Sequence, residues 1–77
     1  MRVFITDKAK KQLQALPKSI RENIQEALIS LQIEGMRAGL DIVKLKGYSN
    51  HFRLRIGKHR ILFEFAKPDN ITINWIG

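Results

Sequence analysis

Residues 52–65 read FRLRIGKHRILFEF, and on both sides of Gly57-Lys58 apolar and polar residues alternate. That period of two is the pattern of a half-buried β-hairpin. A Gly-X pair at the tip suits a type II′ turn, in which glycine supplies the positive φ of the first central position. A two-residue turn then sets the register: Ile56 opposite His59, Arg55 opposite Arg60, Leu54 opposite Ile61, Arg53 opposite Leu62 and Phe52 opposite Phe63. One face carries Phe52, Leu54, Ile56, Ile61, Phe63 and Phe65 and reads as core. The other carries His51, Arg53, Arg55, Arg60, Leu62 and Glu64.

The second face raises the question of function. Arg55 and Arg60 oppose each other directly, and like charges in a cross-strand pair are destabilising. Arg53 lies beside them. A solvated face whose long side chains splay apart needs no ligand. A phosphate or a partner's carboxylate received between the guanidinium groups would turn the repulsion into attraction.

Working outward, residues 35–47 (GMRAGLDIVKLKG) are bounded by glycines and read as a loop. Ile42, Val43 and Leu45 anchor it, and Lys44 and Lys46 project outward. On the other side, Lys67-Pro68-Asp69-Asn70 is a turn sequence. Residues 71–76 follow as a strand with Ile71, Ile73 and Trp75 on one face. Pairing Phe65 with Ile71 keeps that face with Phe63, so Trp75 is predicted to lie in the core. Residues 1–6 (MRVFIT) are rich in β-formers and place Val3 and Ile5 together. Thr6 or Asp7 can cap the helix that follows. Its apolar stripe is Ala9, Leu13 and Leu16. Pro17 suits the first turn of a second helix over residues 17–33, with a stripe of Ile20, Ile24, Ala27, Leu28 and Leu31 and a stop at Gly35. Helices joined this tightly form an αα-hairpin, and its apolar side has only the sheet to bury against. The predicted fold is a single α+β domain over residues 1–77 in the order β-α-α-β-β-β. The helical hairpin packs on one face of a mainly antiparallel four-stranded sheet, and the arginine face is left open.

At 77 residues the chain is near the lower limit for a core without staples. It has no cysteine, which rules out disulfides and thiolate metal sites and suits a reducing compartment. His51 and His59 fall on opposite faces of the hairpin, so no metal site is predicted, and no cofactor signature is present. No apolar run approaches a membrane span, and residues 1–30 lack a signal-peptide core. A soluble, cytoplasmic protein without a membrane partner is expected. The net charge of +7 points to nucleic acid or an acidic protein partner. Between Asp41 and Glu64 there is no acidic residue, while Lys44, Lys46, Arg53, Arg55, Lys58 and Arg60 lie there.

Gly-rich phosphate loops, nucleophile elbows and paired carboxylates are missing, and no Ser or Cys stands near a plausible His. Tyr48 and His51 precede the arginines closely enough to line their edge. Tyr48 either stacks on a base or closes one end of the core. His51 either exchanges a proton or is a satisfied surface histidine. Lys44, Lys46 and Lys58 join them as candidate RNA-binding residues.

The order of elements, with LPKSIRENIQEALISL and then DIVKLKGYSNHFRLRIGKHRILFEF, resembles the RelE branch of the RelE/ParE toxin superfamily. The resemblance covers nearly the whole chain and is most specific in KLKG (44–47) and RLRIGKHRILFEF (53–65). It implies a ribosome-dependent endoribonuclease that cuts messenger RNA and so inhibits translation. It also implies an acidic antitoxin partner that wraps the toxin, and operator DNA bound only through that complex. Arg53, Arg55 and Arg60 correspond to the basic residues that hold and activate the scissile phosphate in that family. Gyrase-directed relatives share the fold without the nuclease chemistry. Family members continue past the last strand with basic residues and a Tyr that belong to the catalytic set. This sequence stops at Trp75-Ile76-Gly77, where that segment begins, and the resemblance therefore implies reduced nuclease activity with fold and partner retained.

Overall fold

In the computed structural model, which describes residues 1–77 apart from the side chain of Arg37, the hairpin has the register that a Gly57-Lys58 turn imposes. Gly57 takes φ 59°, a conformation in which an L side chain is strained. The elements are β1 (Arg2–Ile5), α1 (Asp7–Gln14), α2 (Lys18–Glu34), β2 (Asp41–Lys44), β3 (His51–Ile56), β4 (His59–Ala66) and β5 (Asn70–Ile76). The sheet order is β1-β5-β4-β3-β2, antiparallel throughout except for β1 beside β5.

The α+β class and the placement of the helices agree with expectation, but the sheet has five strands rather than four. The extra strand is β2, which the glycine-bounded reading had assigned to a loop. Asp41 pairs with Arg55, Ile42 with Leu54, Val43 with Arg53 and Lys44 with Phe52. As an edge strand it shows its two apolar residues to different surroundings. Ile42 packs against the core, while Val43 lies on the open face, 45% exposed.

Local chemistry accounts for the helices. The Thr6 hydroxyl accepts a hydrogen bond from the Ala9 N–H at 3.1 Å and caps α1, an interaction worth about 1 kcal/mol. Ala9 and Leu13 are buried from α1, and Ile24, Ala27, Leu28 and Leu31 from α2. Opposite them the sheet contributes Leu54, Ile61, Phe63, Ile71, Ile73 and Ile76. The Phe52 and Phe63 rings stack within this layer at 5.4 Å, inclined by 17°.

One irregularity redirects a side chain. Phe65 pairs with Ile71 and Phe63 with Ile73, but Leu62 pairs with Trp75, so Asn74 is the extra residue of a β-bulge. Beyond it the alternation resets. Ile76 takes the buried position, and Trp75 moves to the arginine face, half-buried rather than in the core. The predicted core role of Trp75 is therefore overturned. The end of β5 is secured from both sides. The Arg60 N–H donates to the Gly77 carbonyl at 2.8 Å, and the Gly77 N–H to the Arg60 carbonyl at 2.9 Å. On the opposite side the β1 pairing ends at Ile5, opposite Ile73, and the Gln12 side-chain oxygen accepts from the Ile76 N–H at 2.9 Å. Among the described residues, no helix is long and apolar enough to cross a membrane.

Candidate functional site

The sheet face away from the helices carries the candidate residues in rows that follow from the strand register. Trp75, Leu62, Arg53 and Val43 make one row, from β5 to β2. Arg60, Arg55 and Asp41 make the next, with Gly77 beside Arg60. Thr72, Glu64 and His51 make a third, on the other side of the first.

The three arginines are not equivalent. Arg55 Nε lies 3.0 Å from an Asp41 carboxylate oxygen, with the two side chains 56% and 43% exposed. That contact offsets part of the repulsion between Arg55 and Arg60. Arg53 and Arg60 make no ion pair among the described residues. The Nε of Arg53 is buried and finds no hydrogen-bond acceptor in the protein. An unsatisfied buried donor costs about 1–3 kcal/mol, more for a charged group.

His51 stands at the edge of this cationic row. Its Nδ1 lies 2.6 Å from the Ser49 carbonyl, which makes that nitrogen the donor, and its Nε2 lies 3.6 Å from the Glu64 carboxylate. Tyr48, 63% exposed, sits 5.9 Å from the His51 ring in a tilted arrangement. So exposed a ring does not close the core. Between Tyr48 and Trp75 opens a cleft of about 440 Å³, bordered also by Leu45, His51, Leu62 and Asn74.

The fold thus brings Arg53, Arg55, Arg60 and His51 to one face, with Tyr48 at its rim. The candidate lysines are dispersed. Lys44 pairs with Phe52 and shares the helix side of the edge strand with Ile42. Lys46 is exposed in the turn before Tyr48, and Lys58, at the hairpin tip, borders a cleft with Ile20, Asn23 and His59 on the helix side. Asp41 and Trp75 were missed by sequence reasoning. Only the β2 register brings the first to Arg55, and only the bulge turns the second outward.

Asp41→Asn tests whether Arg55 is held in reserve. Exposed ion pairs contribute about 0.2–1 kcal/mol, so stability should change by no more than that. Affinity for a polyanion should rise by about 1.5- to 5-fold as the guanidinium is released. Titration with single-stranded RNA at low salt, beside urea melts, measures both. Unchanged affinity would mean that Arg55 does not meet the polyanion.

Comparison with known proteins places this geometry in a family. Residues 3–77 match the family model for the ParE toxin of the type II toxin-antitoxin system parDE. Toxin RelE3 of Methanocaldococcus jannaschii is 35% identical over 68 residues, covering 83% of this chain and 75% of that protein. The toxin fold recurs in the RelB-RelE antitoxin-toxin complex from Methanococcus jannaschii, at a TM-score of 0.85 and 29% identity over 96% of this chain and 87% of that one. In the archaeal RelE-RelB complex from Pyrococcus horikoshii the values are 0.82, 30%, 97% and 90%. The chain belongs to the RelE/ParE toxin family and is a RelE-type toxin of a type II toxin-antitoxin system.

Proposed function

We propose that this toxin is a ribosome-dependent endoribonuclease that inhibits translation by cutting messenger RNA on its open sheet face. The observation that carries the reading is the pair of guanidinium groups, Arg53 and Arg60, without carboxylate partners on a face that no other layer covers. The chemistry is attack of a ribose 2′-OH on the adjacent phosphorus. A 2′-O–P bond forms, the P–O5′ bond breaks, the 2′-OH loses its proton and the departing 5′-oxygen gains one. Negative charge builds on the phosphate in the transition state, and preorganised cations at that position lower the barrier. Arg53 and Arg60 fill this role, with Arg55 joining once Asp41 releases it. A guanidinium remains protonated in proteins, so the proton passes through another group. His51, at the edge of the row, and Tyr48, at its rim, are the candidates to carry it.

An acidic antitoxin is the second partner in this reading. Two related toxins of known structure are bound to RelB, and the net charge of +7 favours an acidic chain. Ile29 and Ile33, one turn apart on α2, are 54% and 75% exposed. Ile29 also borders a cleft with Val3, Leu13 and Leu28, a surface suited to the apolar residues of a segment that folds on binding. Operator DNA would be met only through that complex, and the site of action is the cytoplasm.

Primer extension on ribosomes programmed with messenger RNA tests the nuclease reading directly. Cleavage within the decoded codon supports it, and intact messenger RNA at saturating protein overturns it. The match to the ParE family model favours one other reading, a non-catalytic toxin that binds a protein target such as DNA gyrase. Intact messenger RNA together with inhibited supercoiling would select it.

A further inference from the structure

We infer that the cleft between Tyr48 and Trp75 is a nucleobase-stacking subsite, holding a base of single-stranded RNA whose phosphates lie on Arg53 and Arg60. The inference rests on RNA being the polyanion that the open face receives, and it adds where a base goes.

Several independent features converge there. The bulge at Asn74 has a specific consequence: it takes the chain's single tryptophan out of the buried series Ile71, Ile73, Ile76 and sets it on the open face. Bulges beside functional sites commonly re-aim a side chain in this way. The ring has been given room. A Cβ at Gly77 would lie 2.4 Å from the far edge of the Trp75 indole, so a side chain there would displace the ring from its place over the backbone. The same cleft is lined by Tyr48, an aromatic ring kept 63% exposed on a loop. The lining also includes Leu62, an apolar residue in the same row as Trp75 and Arg53.

The polar groups fit a nucleotide. Leu62 has Trp75 on one side and Arg53 on the other, so the indole and the guanidinium are two strand spacings apart, roughly 10 Å at the backbone. Arg53 makes no ion pair among the described residues, so its guanidinium group is available to a phosphate. Asn74 at the rim offers an amide donor and acceptor to a base edge. Every base has a π-face, so stacking between aromatic side chains accepts any of them, and the guanidinium row tracks the backbone. An aliphatic side chain from a protein partner would also fill an apolar cleft, but it would use neither the aromatic faces nor the amide of Asn74.

Because Trp75 is the single tryptophan, its emission reports on the cleft alone. Titration of the full chain with a short single-stranded RNA at low salt should quench that emission. An abasic ribose-phosphate strand of the same length and charge should bind without quenching. Trp75→Leu and, separately, Tyr48→Leu should weaken RNA binding by about 5- to 150-fold, the usual effect of losing one stacking partner, and leave abasic binding unchanged. Trp75→Phe should retain most of the affinity. Tyr48 is on an exposed loop, so its variant keeps the test alive if Trp75→Leu fails to fold. The subsite is overturned if RNA and the abasic strand bind alike without quenching, or if an acidic apolar peptide quenches Trp75 and RNA does not. Quenching by RNA without cleavage on the ribosome would sustain the subsite and remove the nuclease reading. Cleavage with no quenching, undiminished in both leucine variants, would do the reverse.

Discussion

Arg60→Ala is expected to slow cleavage of ribosome-bound messenger RNA by about 10²–10³-fold, the effect of removing one donor from a preorganised transition-state site. Arg60 is exposed, has no ion-pair partner among the described residues and lies directly opposite Arg55. Its loss therefore removes a cation from the phosphate's position without orphaning a carboxylate. The slope of log affinity against log salt should fall by about 0.7 for the lost phosphate contact on a single strand. Stability should hold or rise by a few tenths of a kcal/mol, because a like-charge pair is relieved. Arg55→Ala should differ in kind. It leaves Asp41 unpaired, so the face loses a cation and exposes an acid, and RNA binding should suffer from both. Primer extension, binding across a salt series and urea melts give the three readings. A loss of stability above roughly 1 kcal/mol with unchanged binding would make Arg60 a structural residue.

The contrast between these arginines shows where the sequence stopped being informative. The hairpin was legible because its alternation is uninterrupted and a two-residue turn leaves one register, so every pair from Phe52–Phe63 to Ile56–His59 is as read. The helices were legible for the same kind of reason, an apolar stripe at helical spacing bounded by Thr6, Pro17 and Gly35. What failed were features that tertiary context sets. In Asp41–Lys44 the apolar residues are adjacent rather than alternating, which carries no strand signal. Only the exposed edge of β3 makes a strand of it. With that strand missing, nothing in the sequence placed Asp41 against Arg55. The bulge at Asn74 has no glycine to announce it, and strict alternation from Ile71 carried Trp75 into the core. A single unpaired residue thus reversed the face of the chain's one tryptophan.

Phe63→Ala is expected to cost about 3–5 kcal/mol, as for other buried aromatic truncations. Phe63 is 1% exposed near the middle of the sheet, beneath the helices and stacked on Phe52 at 5.4 Å. Truncation removes the ring's transfer energy, its stacking partner and its packing contacts together, and helices on the other side of the core can collapse only partly into the space. A domain of 77 residues has a stability of about 4–12 kcal/mol, so the variant should lose about a quarter or more of its total stability. In a domain of this size each kcal/mol lowers the melting temperature by about 4–8 °C. Phe4→Ala is the control. Phe4 is the same residue type on the edge strand β1 but is 53% exposed, and its loss should stay within about 0.5 kcal/mol. Circular dichroism melts of both variants decide the matter, and equal losses would contradict the assignment of core and open faces. Because Leu62 and Glu64 flank Phe63 on the same strand and point to the other side, the large loss ties the arginine face to the helices behind it. The geometry of Arg53 and Arg60 depends on the core on the far side of the sheet.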